Sequence, residues 1–171
     1  MKFPLLTAND IECRVSQVAK TPNGIYVGLL LYKDARVDMR ILDETVGPMN
    51  WQREHDLING NLFCTISIWD KEKSQWIRKQ DVGTESMTEK EKGQASDAFK
   101  RAGFNVGIGR ELYTGPRIRT VLADNEYDSE KNRVKPFVKF SVAEIDYNDR
   151  REIKHLVIMD NQGAIRFKWD G

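Results

Sequence analysis

The residues best suited to binding chemistry are basic side chains that concentrate in one stretch of the chain. Between residues 99 and 119 there are five basic residues and one acidic residue, a formal charge of +4, and acidic residues dominate the segments on both sides. A local basic surface attracts phosphate groups, and salt weakens this attraction because binding releases counterions. The five basic residues are Lys100, Arg101, Arg110, Arg117 and Arg119.

Aromatic residues accompany this charge. Unpaired bases stack on aromatic rings, and such stacking tolerates any base sequence. The alternative is that the rings form the core and the charges form a solvated surface, and composition alone leaves both interpretations open. The candidate stacking residues are Trp51, Trp69, Trp76, Phe104 and Tyr113.

Residue types that serve in enzymes occur here without the spacing that catalysis requires. His55 and His155 do not fall in a zinc-binding pattern such as His-Glu-x-x-His. The glycines at 103, 107 and 109 match neither a P-loop nor a dinucleotide-binding motif. The sequence therefore predicts a protein that is not an enzyme and that holds no cofactor or metal ion.

Two acidic pairs keep one enzymatic alternative open. Asp43 with Glu44, and Asp81 with Glu85, are of the type that holds Mg²⁺ in nucleases. Such pairs also arise by chance in a chain in which 31% of the residues are charged. A metal-dependent nuclease acting on DNA is therefore the second hypothesis.

The overall composition is that of a folded chain with a mixed-charge surface. The 171 residues include 27 basic and 26 acidic ones, for a net charge of +1. A chain this close to neutral does not bind nucleic acid through its overall charge, so any such site must be local. The length predicts a single domain over residues 1–171.

The cysteines and the apolar segments indicate the compartment. Cys13 and Cys64 are far apart and lack a Cys-x-x-Cys spacing, which favours small buried thiols in a reducing cytosol over a disulfide or a zinc site. The first residues lack the apolar run of a signal peptide, and no segment matches a membrane span. We therefore expect a soluble intracellular protein.

Two helices are predicted in the first 50 residues. The first covers residues 11–18 and the second covers residues 35–46, where apolar residues recur every three or four positions. An apolar run over residues 25–32 lies between them. Cap and turn residues flank both helices: Thr7, Asn9 or Asp10 before the first, Thr21-Pro22-Asn23-Gly24 after it, and Gly47-Pro48 after the second.

A three-stranded antiparallel sheet is predicted next. Trp51 opens the first strand, and the Asn59-Gly60 pair favours a tight hairpin turn. The second strand alternates over residues 62–69, with one aliphatic face and one face of aromatic and hydroxyl residues. A polar turn then leads into the third strand over residues 75–82.

A helix with a stripe of small residues follows the sheet. Thr88 and Glu91 fit a capping box at its start. An alanine-rich stripe from Ala95 to Ala102 allows the helix axis to lie close to a sheet, and Gly103 is placed to end the helix. The basic pair at residues 100–101 lies outside this stripe.

The last third of the chain is predicted to be mostly strand. The acidic segment over residues 124–130 is predicted to be a solvated loop. Strands over residues 134–147, 153–159 and 164–169 form a second small meander. The predicted fold class is therefore α+β, with an antiparallel three-stranded meander (a β-β-β-α core) packed on a long helix and a C-terminal β extension over residues 134–169.

One order of segments is shared with a known family. A helix ends at Gly47-Pro48, Trp51 opens three strands, the segment Asp81-Val82-Gly83-Thr84-Glu85-Ser86 follows, and a helix closes on Ala98-Phe99-Lys100-Arg101-Ala102 and Phe104. This order resembles the Rad fifty-two/twenty-two-type single-strand annealing proteins in a short bacterial or phage form. The similarity covers residues 26–113, and the Asp-x-Gly segment and the Lys-Arg pair are its most specific parts.

The resemblance implies a homo-oligomeric ring or arc that binds single-stranded DNA in a basic groove. Such a protein anneals complementary strands without ATP, in recombination or DNA repair. The resemblance implies that Lys100 and Arg101 line the inner DNA groove, and Lys33 and Arg36 are further candidates. Charge and position alone add Lys71, Lys73, Lys79, Arg117 and Arg119.

The resemblance also has a departure and wider implications. Many members carry a further arginine shortly after the Lys-Arg pair, where this chain reads Gly103-Phe104-Asn105. The implied setting is the cytoplasm of a bacterial or phage-infected bacterial cell, with a host single-strand-binding protein or recombinase as a further partner. A purely structural oligomer is the third hypothesis, beside the annealing protein and the nuclease.

Overall fold

The computed structural model describes residues 2–84 and 90–171, with the side chains of residues 90–92 left out. The fold is α+β, as predicted, and the chain divides into two compact units. Unit 1 comprises Met1–Leu5 and Asp34–Arg110, and unit 2 comprises Leu6–Lys33 and Glu111–Gly171.

The helices and strands of the described residues follow one another in this order: β1 (Glu12–Thr21), β2 (Gly24–Tyr32), α1 (Ala35–Val46), β3 (Trp51–Ile58), β4 (Asn61–Asp70), β5 (Gln75–Val82), α2 (Lys90–Val106), β6 (Ile118–Leu122), β7 (Tyr127–Asp128), β8 (Arg133–Val134), β9 (Phe140–Tyr147), β10 (Ile153–Asp160) and β11 (Ile165–Asp170). Short 3₁₀ helices cover Ala8–Asp10, Arg110–Thr114 and Asp124–Glu126.

Unit 1 contains the predicted three-stranded antiparallel sheet, in the order β3-β4-β5. The β3–β4 turn is formed by Asn59 and Gly60, whose φ angles of 50° and 78° belong to the primed turn that suits a two-residue hairpin. On the central strand, Cys64 and Ile66 are fully buried. Helix α1 matches the helix predicted over residues 35–46.

Helix α2 packs closely on the aliphatic face of this sheet because its contact residues are small. Ala98 and Ala102 are fully buried, and Phe99 between them stacks on Trp51 with ring centroids 6.1 Å apart. A Cβ placed on Gly83, just after β5, would lie 2.2 Å from the carbonyl oxygen of Gln94 on α2. The glycine therefore permits the end of β5 to touch the helix backbone.

The prediction that α2 ends at Gly103 is wrong. The helix continues to Val106, and Gly107, with a φ of 112°, provides the left-handed residue that closes it. Gly103 is instead buried against α1, where an added Cβ would lie 2.4 Å from Oδ1 of Asp38. The glycine therefore marks a helix crossing. Thr88, the first residue of the predicted cap, lies outside the described residues, and the side chain of Glu91 is not described.

Unit 2 is built on a six-stranded sheet in the order β11-β10-β9-β1-β2-β6. Its two edge strands approach each other, since a guanidinium nitrogen of Arg166 on β11 donates to the carbonyl oxygen of Val121 on β6 over 2.8 Å. The sheet is therefore a nearly closed barrel. Val27, Leu156 and Ile158 are among its fully buried core residues.

The helix predicted over residues 11–18 is wrong, because this segment forms strand β1 and pairs along its length with β2. The register shifts between Val15 and Gln17, which indicates a β-bulge. The extra residue places Val15 and Val18 opposite the core residues Leu29 and Val27, on one face of the strand. A bulge thus gives a strand the three-residue spacing that is typical of a helix.

The C-terminal strands were predicted as a second small meander. Strands β9, β10 and β11 form the expected hairpins, but β9 pairs with β1 through Glu12 and Ser141, so they belong to the six-stranded sheet.

The segment over residues 124–130 is not a solvated loop throughout, although a solvated loop was predicted. It contains a 3₁₀ helix and β7, and its Glu126 is largely buried in an ion pair with Arg166. Among the described helices, none is long and apolar enough to cross a membrane.

A histidine joins three strands of this sheet. His155 on β10 contacts Asp170 on β11 through Nδ1 over 2.5 Å and Glu144 on β9 through Nε2 over 3.0 Å. Hydrogen bonds to Asp170, and then to Glu144, favour the protonated imidazole and raise the pKa of His155. A raised pKa makes a contribution to stability that is complete below the ordinary histidine value and is lost as the pH rises through the folded value.

We therefore expect His155→Gln to destabilise the protein more at pH 6 than at pH 9. Thermal unfolding of wild type and variant at both pH values measures the difference in melting temperature. Lys154→Gln is the matched control, because it removes the neighbouring ion pair with Asp146 and leaves His155 and its two carboxylate partners in place. An equal His155→Gln effect at both pH values would contradict the prediction.

Candidate nucleic-acid interface

The predicted Lys-Arg pair lies on α2, and its two members point in different directions. Adjacent helical residues are about 100° apart around the axis. Arg101 faces β5, where its Nε lies 3.6 Å from Oδ1 of Asp81. Lys100 faces the start of α1. Hydrogen bonds from Arg36 are the main cause that lowers the pKa of Asp34, and the charge of Lys100 adds to this effect.

The Asp-x-Gly segment fixes α2 to the end of β5. Asp81 accepts a hydrogen bond from Nδ2 of Asn105 over 3.1 Å, in addition to its ion pair with Arg101. The next residue after Gly83, Thr84, continues the contact, because its backbone N–H and its hydroxyl both donate to Asp97. Asp97, Arg101 and Asn105 are four residues apart and share one face of α2. The segment therefore sets the orientation of the helix that carries the basic pair.

A groove of about 530 Å³ opens in unit 1, between the β4–β5 turn and the ends of the two helices. Its lining includes three of the predicted basic residues, and we call it the lysine groove. Trp69 forms part of its wall and meets Trp76 edge to face, with centroids 5.5 Å apart. The residues that define the lysine groove are Lys71, Lys73, Lys79, Trp69 and Asn105.

The three lysines of the lysine groove differ in whether they form an ion pair. Lys73 lies 3.3 Å from Asp70, and the backbone N–H of Lys73 is the main cause that lowers the pKa of that carboxyl group. Lys71 and Lys79 form no ion pair with any residue that the structure describes. Glu72 also lines the groove. The exposed ammonium groups of Lys71 and Lys79 are therefore available to an anionic ligand.

Comparisons with family models, curated proteins and solved structures found no match. The interpretation of the site therefore depends on its residues. Its exposed lysines supply cations, and the β4–β5 hairpin that carries them also carries the aromatic pair of Trp69 and Trp76.

The other predicted basic residues lie elsewhere. Arg36 is exposed in unit 1 and pairs with Asp34 over 2.8 Å. Lys33, in unit 2, is only 6% exposed, so its ammonium is not presented to a ligand. Arg117 and Arg119 are exposed in unit 2. Thus only part of the predicted set lines the lysine groove.

Arg110 illustrates a basic residue with a structural role. Its guanidinium donates to the carbonyl oxygens of Phe104 and Asn105 over 2.8 and 2.9 Å, where the last turn of α2 leaves carbonyls without helical partners. A cation at this position also opposes the negative end of the helix dipole. Arg110 therefore caps α2.

The acidic pairs considered for metal binding accept hydrogen bonds from protein donors. Asp43 accepts from the indole N–H of Trp51 over 2.7 Å, and Glu44 pairs with Arg40 over 2.9 Å. Asp81 is engaged by α2, and Glu85 lies outside the described residues. Within residues 2–84 and 90–171, no group of three His, Cys, Asp or Glu side chains is arranged to hold a metal ion.

The sequence did not predict that Asn105 contributes to this site. Asn105 bonds Asp81 and the carbonyl oxygen of Gln80, and it lines the lysine groove. The available signal was its position four residues after Arg101, which places both on one helix face. The expected end of the helix at Gly103 concealed that signal.

Proposed function

We propose that the protein binds single-stranded DNA and anneals complementary strands without ATP, as a homo-oligomer. The observation that carries the proposal is the lysine groove, whose lining includes the exposed Lys71 and Lys79, Trp69 and the C-terminal end of α2. The resemblance of residues 26–113 to the Rad fifty-two/twenty-two-type annealing proteins supports it independently.

The proposed binding mode predicts a preference for a single strand over a duplex. Phosphates contact Lys71 and Lys79, and the neutralised backbone no longer repels a second strand. Bases stack on Trp69 or on the exposed ring of Trp76, which requires that they are unpaired. Stacking leaves the hydrogen-bonding edges of the bases free. Pairing with a complementary strand then needs no bond to be made or broken in the protein.

Oligomerisation follows from the small number of contacts that one protomer offers. A few phosphate contacts give weak binding, and repeating them along one strand raises the affinity through effective concentration. A head-to-tail interface between protomers generates a ring when its rotation closes. We therefore expect the assembly state and the DNA affinity to change together.

Lys71→Ala/Lys79→Ala is expected to weaken binding of a fluorescent oligothymidine by about tenfold or more at low salt, equivalent to about 1.4 kcal/mol. The slope of log affinity against log salt should also fall by about 1.4, because each phosphate contact on a single strand contributes about 0.7. Lys131→Ala/Lys139→Ala removes the same charge from unit 2 and is the matched control. Equal affinities for the two variants would contradict the proposal that the lysine groove binds DNA.

Annealing itself is measured with complementary oligonucleotides in the same series. Lys100→Ala/Arg101→Ala should slow annealing while the protein remains folded by circular dichroism.

The oligomeric state is tested by measuring the size of the protein in solution with and without oligothymidine. Oligonucleotide shortening in Mg²⁺ or Mn²⁺ would instead support the nuclease, and a wild type that ignores oligonucleotides at low salt would support a purely structural role.

A further inference from the structure

A second surface with the chemistry of single-strand binding lies on unit 2. The antiparallel registers place Arg14 opposite Leu30, Val121 opposite Tyr26, and Arg119 opposite Gly28. These positions share the outer side of the sheet, because the alternate residues of β2 and β6 point into the buried core. We call this surface the tyrosine–arginine face, defined by Arg14, Tyr26, Leu30, Tyr32, Arg119 and Val121.

Each tyrosine on this face is accompanied by an arginine. The guanidinium of Arg119 lies over the Tyr26 ring at 4.1 Å from its centroid, and that of Arg14 lies over the Tyr32 ring at 5.8 Å. A guanidinium that lies against an aromatic ring keeps its charge, and its side chain loses little further conformational freedom when a ligand binds. Planar groups are therefore arranged in advance on this face for contact with bases.

Apolar groups fill the space beside these pairs and remain in solvent. Leu30 is 48% exposed and Val121 is 52% exposed, although both lie in strand interiors. Large apolar side chains grouped on the surface mark a binding site more often than isolated ones do. The face therefore combines apolar area, aromatic rings and arginines.

The charge of this face favours a polyanion as its occupant. Arg14 and Arg119 are exposed, and Arg117 precedes β6 on the same side of the strand as Arg119. Glu12, an acidic residue on this side, accepts a hydrogen bond from the Tyr32 hydroxyl. A basic surface with stackable planes matches the phosphates and bases of an unpaired strand.

We propose that the tyrosine–arginine face is a second single-strand-binding surface, in which bases stack on the Arg119–Tyr26 and Arg14–Tyr32 pairs and the arginines contact phosphates. The inference rests on the proposed function for its choice of ligand. A second surface on each protomer would let one protein molecule engage two segments of single strand at the same time.

The test uses the full chain and a fluorescent oligothymidine. Arg14→Gln/Arg119→Gln should weaken binding by about tenfold at low salt, while Arg133→Gln/Arg150→Gln, with the same loss of charge elsewhere in unit 2, should not. Arg119→Lys keeps the charge without the planar group, so it should keep the salt slope and lose affinity. Photocrosslinking of an oligonucleotide that contains 5-iodouracil should label Tyr26 or Tyr32.

The outcomes separate this inference from the proposed function. If wild type does not bind the oligonucleotide, the proposed function fails. If it binds and the Lys71/Lys79 variant weakens binding, but the arginine variant equals its control and no crosslink reaches Tyr26 or Tyr32, only the second surface is overturned. An arginine variant that loses oligomerisation while its DNA affinity is unchanged would identify the face as a protomer contact and would also overturn it.

Discussion

Replacing Phe99 by alanine is expected to lower the free energy of unfolding by about 3–5 kcal/mol, the range for large aromatic-to-alanine changes in a core. The ring is fully buried between the sheet and α2. It stacks on Trp51, and the guanidinium of Arg53 lies over it at 4.8 Å from the centroid. Its removal therefore costs the transfer free energy of the ring, a cavity and a cation–π contact.

Urea unfolding followed by tryptophan fluorescence measures this effect. Phe137→Ala makes the same chemical change at a site that is 53% exposed, and we expect it to alter stability by no more than about 0.5 kcal/mol. Similar losses for both variants would contradict the packing described for α2. Phe99→Leu keeps most of the volume and permits DNA binding to be measured on a folded protein with a loosened helix.

Replacing Arg166 by methionine is expected to cost about 3–5 kcal/mol, because it leaves two carboxylates in a mostly buried site without their cation. The guanidinium lies 2.7 Å from Glu126 and 2.9 Å from Asp160, and it also donates to Val121 across the nearly closed barrel. Hydrogen bonds from Arg166 are the main cause that lowers the pKa of both carboxyl groups.

The sign of the pH dependence follows from these lowered pKa values. Their contribution to stability is present above the ordinary carboxyl value and is lost as the pH falls through the folded value. Thermal unfolding of wild type and Arg166→Met should therefore differ most near pH 7 and converge toward pH 3. Arg166→Met/Glu126→Gln should recover part of the loss. A loss that is equal at both pH values and not relieved by Glu126→Gln would refute an ionic role.

The sequence predicted local elements well where their signals are local. The strands and the hairpin between Trp51 and Val82 follow from alternation and from an Asn-Gly turn, both of which are short-range features. Strand β1 was misread because its bulge depends on a partner strand and has no local signal. The barrel of unit 2 was missed for a related reason, since the pairing of Glu12 with Ser141 joins residues far apart in the chain.

The candidate site was predictable in its residue types but not in its grouping. Charge alone pointed to Lys71, Lys73 and Lys79, and the structure brings these together with Trp69. Charge does not distinguish a binding arginine from one that caps a helix, as Arg110 does, nor a solvated lysine from a buried one such as Lys33. That distinction depends on burial and on hydrogen-bond geometry, which arise only when the chain is folded.

The two cysteines provide one chemical reporter in each unit. Burial is the main cause that raises the pKa of Cys64 in unit 1 to about 11 and that of Cys13 in unit 2 to about 12. Thiolate is the form that alkylating reagents attack, so both sites resist modification at neutral pH while their strands stay closed. Rates of maleimide labelling in increasing denaturant therefore give an opening free energy for each unit in the unmodified protein, without an added dye or an engineered substitution.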